Sequence, residues 1–176
     1  MKYVATLLFG AALAVTSTAQ AQTANPIADH LKGQWTNIRD LLTKMADAMP
    51  DDAYRFKPTP EMEDFGKRMA HVVGFNMRSC AMAKGEQKPL TFSANPTKSE
   101  IQAAVKEANA ECDSVFNTLT DAGAMKMIAA GRGGQRPAFA ILEANVLEHS
   151  QEMYGYMAPY LRLKGIVPPS SIHNER

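Results

Sequence analysis

Residues 145–169 read NVLEHSQEMYGYMAPYLRLKGIVPP. Most of this stretch has the pattern of a helix with a clean stop. Lys164 falls in the last turn, Gly165 can take the left-handed cap, and Pro168-Pro169 forbid continuation. His149, Glu152, Met153 and Tyr156 recur at i, i+3, i+4 and i+7, which places them on one helix face. A histidine and a methionine one turn apart, flanked by apolar residues, are either core filling or ligands. Upstream, the helix is expected to open at Pro137. Its inner face is predicted to carry Phe139, Leu142, Val146, His149, Met153, Tyr156, Tyr160 and Leu163.

Three further segments have helical spacing. Asn25-Pro26 opens the first, with Asn as N-cap and Pro at the first helical position. Ile27, Leu31, Trp35, Ile38, Leu41, Leu42 and Met45 then recur by threes and fours until Met49-Pro50. Trp35, the single tryptophan, is expected to anchor the core. The second runs from about Asp64 to Lys84 with Gly85 as its cap. Its broad apolar face is Phe65, Met69, Val72, Val73, Phe75, Asn76 and Met77, with His71 in the middle. Gly66 and Gly74 inside it each cost about 1 kcal/mol relative to alanine, which close helix–helix approach would explain. The third starts at the capping box Thr97-Lys98-Ser99-Glu100 and buries Ile101, Ala104, Val105, Ala108, Cys112, Val115, Phe116 and Leu119.

The connections differ in kind. Residues 50–63, PDDAYRFKPTPEME, form a proline-rich link in which Tyr54 and Phe56 are apolar pegs for the bundle end. In residues 120–136, Ala124 to Ala130 could add a helical turn, but Gly131, Gly133 and Gly134 then break it, and a flexible crossover is expected. The G-R-G-G run lacks Walker A spacing and any preceding strand. No strand pattern and no internal repeat is seen, so the expected fold is all-α, a four-helix bundle.

The first 21 residues are read as a cleaved export signal: Lys2, an apolar run from Val4 to Val15, and Ala19-Gln20-Ala21 as the cleavage site. The domain is then 22–176, periplasmic or secreted, with no membrane contact after cleavage. Removing Lys2 from the 19 basic residues leaves 18 against 18 acidic ones, which gives no electrostatic reason to expect nucleic-acid binding. Cys80 and Cys112 fall on two predicted helices. In an exported chain one disulfide is the simplest reading, and two buried thiols are the alternative. Neither sits in C-x-x-C or C-x-x-C-H.

Three segments carry a family resemblance: H-S-Q-E-M-Y-G with its Y-L-R-L-K-G-I-V-P-P tail, M-P-D-D-A-Y-R-F-K-P-T-P-E, and F-G-K-R-M-A-H-V. Together they resemble DinB-like (DinB/YfiT-type) four-helix bundles. The resemblance implies three histidine ligands for a divalent metal (zinc, nickel or iron), one on helix two and two on helix four. It also implies a metal that activates a low-molecular-weight thiol for transfer or maleylpyruvate isomerisation, in a family whose members often dimerise. His71 and His149 match two of these ligands, and Met153 stands at the third.

Three consequences are open. Met153 fills the gap left by an imidazole and the site is lost. Glu152 substitutes, making a two-histidine, one-carboxylate set. Or the thioether selects Cu(I). Two function classes follow: a metal-dependent thiol-transferase-like protein, or a non-catalytic bundle, either structural or holding a small ligand or soft metal beside Met153. His30 is expected to be solvated, and His173 lies in a polar tail. There is no nucleophile elbow, no zinc-protease H-E-x-x-H and no E-x-x-H di-iron motif.

Overall fold

The computed structural model describes residues 24–130 and 134–172. Residues 1–21, read from the sequence as an export signal, and Gly131, Gly133 and His173 lie outside the described residues. Four rods make the bundle: α1 (Pro26–Ala48), α2 (Phe65–Ala83), α3 (Lys98–Phe116), and a composite last rod. That rod begins as α5 (Ala138–Ile141), passes through a π-helical stretch (Leu142–Glu148) and resumes as α6 (His149–Leu163). α1 and α2 each pack against both α3 and the last rod, so the order around the bundle is α1, α3, α2, last rod. The core is continuous. Trp35 stacks on Phe116 with ring centroids 5.4 Å apart, and its indole N–H donates to Asp113 at 2.7 Å.

The helix ends follow the sequence closely. Asp64 accepts from the Lys67 amide and Thr97 from the Glu100 amide. Gly165 has φ +73°, with Gly165 N–H donating to Arg162 and Ile166 N–H to Leu161, so α6 closes in a Schellman motif. Gly85, at φ +79°, closes α2 the same way. Tyr54 is buried edge-on to Phe65 and Phe56 lies edge-on to Tyr160, so the proline-rich link does seal the bundle end.

Several expectations are corrected. Asn25 does not cap its own helix. Its side chain accepts from the Asp121 amide, while the Asp121 carboxylate takes the Ala28 amide of α1, a capping job done across the bundle. Residues 120–137 are not a plain crossover. They form α4 (Asp121–Ala124) and an antiparallel hairpin, β1 (Met127–Ala129) with β2 (Gln135–Pro137), in register Ile128 to Arg136. Gly66 and Gly74 serve loop contacts, not helix–helix approach: a Cβ on Gly66 would lie 2.9 Å from the Pro96 carbonyl oxygen, and one on Gly74 3.3 Å from the Phe92 ring.

The buried face of the last rod is also displaced. Leu142, Val146, Leu147, Ser150, Met153, Tyr154, Met157, Tyr160 and Leu161 point inward, whereas Tyr156 and Leu163 are exposed. The i→i+5 bonding of the π stretch puts more residues into a turn than the 3.6 assumed from spacing.

Cys80 and Cys112 are disulfide-bonded, tying α2 to α3. No described helix is long and apolar enough to cross a membrane.

Candidate functional site

α2 and α6 run antiparallel, with contacts stepping from Asn76–Ser150 through His71–His149 to Arg68–Tyr160. His71 is not inside the apolar face of α2. It is exposed and lies on the adjoining stripe His71, Phe75, Arg78 and Met82, spaced i, i+4, i+7 and i+11, in which Phe75 and Met82 are half-buried. His149 is the first residue after the π stretch and its side chain is 19% exposed. The two imidazoles meet edge to face, Nε2 to Nε2, at 3.1 Å. Phe75 backs both rings, with centroids 4.6 Å from His149 and 6.1 Å from His71.

Three features fix this geometry. The Asn76 amide and Ser150 hydroxyl hydrogen-bond each other inside the helix interface at 2.9 and 3.1 Å, next to the imidazole pair. Further along, Arg68 donates to the Tyr160 hydroxyl, which donates to the Glu63 carbonyl. On the outer side Tyr156 donates to Glu152 at 2.9 Å, and Glu152 stands 3.6 Å from Nδ1 of His149. Burial lowers the His149 pKa below the ordinary histidine value, His71 lowers it further, and Glu152 opposes both. Burial thus favours the neutral ring, the form a ligand must have.

Two nitrogens on one tetrahedral ion with bonds of about 2.0–2.1 Å stand ~3.3–3.4 Å apart. The 3.1 Å between the two Nε2 atoms is close to that edge. The pair therefore fits two corners of a metal site. The other sequence candidates do not complete it. Glu152 faces Nδ1 of His149, the nitrogen turned away from His71, so in this arrangement it orients the ring and is not a third donor. Met153 is only 4% exposed and packs in the core with Tyr154 and Met157. Among the described residues no set of three His, Cys, Asp or Glu side chains converges. His30 is exposed near the start of α1, away from the pair.

Sequence reading missed Phe75 as the wall behind both imidazoles and the Asn76–Ser150 pair. The stripe of spacing four, three and four through His71 was legible. The Asn–Ser pairing required the phase of the last rod.

The architecture is that of an all-α bundle with a paired-imidazole site between its second and last rods. The chain belongs to the DinB superfamily, whose family model matches residues 34–153 and so spans both histidines. Two crystal structures of DinB-like proteins share the fold. One from Bacillus subtilis is 16% identical with a TM-score of 0.62, covering 83% of this chain and 94% of its own. One from Bacillus cereus is 18% identical with a TM-score of 0.66, covering 82% and 97%. No curated protein matches the chain significantly.

Proposed function

We propose that this bundle binds a divalent metal ion, zinc, nickel or iron, at His71 and His149, with the remaining positions completed by exogenous ligands. The carrying observation is the 3.1 Å approach of the two Nε2 atoms from separate helices. When bound, such an ion supplies a Lewis-acid centre with positions open to a small molecule such as a low-molecular-weight thiol. The chain's own residues hold the geometry. Phe75 fixes the ring planes, Glu152 favours the proton on Nδ1 of His149, and that tautomer leaves Nε2 free to donate its lone pair. Two imidazoles give weaker retention than three, so the metal is exchangeable. Met153, as a core residue, supports neither a Cu(I) set nor a third ligand.

A second reading is favoured by a specific observation. Met153 packs where the family resemblance puts a ligand, and the histidines hydrogen-bond each other. In that reading the bundle is non-catalytic and holds a small molecule without metal.

Calorimetric titration of the mature, untagged chain with zinc separates the two. One site per chain, weakened at least tenfold by His71→Ala and by His149→Ala, supports the metal reading. Zinc binding that ignores both substitutions, or none at all, leaves the non-catalytic one.

Export is part of the same proposal. It is supported by the Cys80–Cys112 bridge, since disulfides persist in oxidising compartments, and by the composition of residues 1–21. N-terminal sequencing of the protein from cells tests it, with Gln22 the expected first residue.

A further inference from the structure

The stripe of α2 continues past the imidazole pair. Phe75, the wall behind both histidines, is also the platform for Arg78, whose guanidinium carbon stands 5.5 Å from the ring centre. Arg78 in turn lines a groove of about 600 Å³ between the C-terminal end of α2, the loop after it, and strand β1. Met82, Pro89, Ile128 and Ala129 give that groove an apolar wall, and its size falls in the range of small-molecule sites. The two other charged residues at its rim compensate each other: Lys88 pairs with Glu86 at 3.0 Å and with Glu111 at 2.9 Å. Among the described residues Arg78 has no carboxylate partner and no hydrogen bond, only its contact with Phe75. The groove therefore offers one uncommitted planar cation beside an apolar surface.

We propose that this groove binds an organic acid with an apolar body, its carboxylate paired with Arg78 and its hydrocarbon laid along Met82, Pro89 and Ile128. Guanidinium matches a carboxylate in a planar, two-point geometry. The apolar wall selects against small hydrophilic acids, which gain nothing from it. Phe75 touches both Arg78 and His149, so one side chain links the charged end of the groove to the imidazole pair. That it is the substrate class of the histidine site rests on the metal reading above. That it binds at all does not.

The probe is octanoate, titrated into the full mature chain, with 1-octanol as the uncharged counterpart. Octanoate is expected to bind one per chain, and 1-octanol at least tenfold more weakly. Arg78→Gln is expected to weaken octanoate at least tenfold without changing 1-octanol. Ile128→Glu, on the apolar wall, is expected to weaken both. Arg78 is on the surface, so its replacement leaves the fold intact, which circular dichroism checks. Octanoate affinity unchanged in Arg78→Gln overturns the proposal, as does the absence of octanoate binding. So does loss of octanoate binding in His71→Ala with retention in Arg78→Gln, which would put the acid on the imidazoles. Zinc titration of Arg78→Gln keeps the two ideas apart. Failure of zinc to bind the natural chain sinks the metal site and leaves the acid groove standing, and failure of octanoate to bind it does the reverse.

Discussion

Replacing Met153 by histidine tests the site most directly. The side chain is 4% exposed and packed among Tyr154 and Met157, so the natural residue contributes core packing. An imidazole there without a partner costs about 1–3 kcal/mol for a buried polar group. For a domain of this size that lowers Tm by ~2–12 °C, at roughly 2–4 °C per kcal/mol. The new ring lies one turn beyond His149 on α6, where the family resemblance places a third ligand. A metal held at a hundredfold excess over its Kd returns about 2.7 kcal/mol to the folded state. The metal-free variant should therefore melt below the natural protein, and zinc should recover most of the loss. The natural two-histidine site should show a smaller zinc-dependent shift, because its Kd is larger. Met157→His is the control: Met157 is also fully buried, one turn further on, and should lose stability without recovery by zinc. Urea unfolding with zinc and with a chelator reads all of this. Equal responses of Met153→His and Met157→His to zinc would refute the placement of the third ligand position at residue 153.

Four more outcomes are expected. Reducing the Cys80–Cys112 bridge, which closes a loop of sequence separation 32, should cost about 3–4 kcal/mol in urea unfolding; an unchanged midpoint would mean that the reduced chain stays tied by other contacts. Gly66→Ala should destabilise by about 1–3 kcal/mol, because its Cβ meets the Pro96 and Tyr54 carbonyl oxygens at 2.9 and 3.3 Å. Gly33→Ala, with nothing within 4 Å on the exposed side of α1, should stabilise by about 0.5–1 kcal/mol. Glu111 titrates low in the fold: burial pushes its pKa up, but Lys84 and Lys88 outweigh that and hold it below the usual carboxylate value. A carboxyl with a depressed folded pKa contributes stability above its unfolded pKa of about 4.3, and that contribution is lost as pH falls through the folded value. Glu111→Gln should flatten the acid limb of the stability–pH curve; an identical limb in the variant would rule out this ion cluster as its source.

How much was legible follows from what each signal depends on. Caps and breakers are local, so Thr97, Gly85 and Gly165 act in the structure as the sequence suggested. The four rods followed from apolar spacing, and the disulfide from two cysteines in a chain with an export-like start. The hairpin was not legible: its strands are three residues each, too short for alternation to show, and glycines lie between them. The Asn25–Asp121 exchange was not legible either, because it joins residues far apart in the chain, and each is an ordinary cap residue alone.

The site itself shows the limit most clearly. Spacing alone put His149 and Tyr156 on the inner face of the last helix, because it assumed one continuous α phase from Phe139 to Leu163. A π stretch uses the same residues as an α-helix and leaves no mark in apolar spacing except a phase that drifts. With Leu142–Glu148 in that geometry, Ser150 and Met157 take the buried positions, and His149 is left at the edge against His71. The consequence is chemical. A fully buried His149 would leave no room for an exogenous ligand. At the edge, with Phe75 behind it and Glu152 on its far nitrogen, it keeps one nitrogen aimed at His71 and solvent within reach of both. The openness of the pair is thus a property of the helix phase, and the residues that set it are the apolar ones of the π stretch.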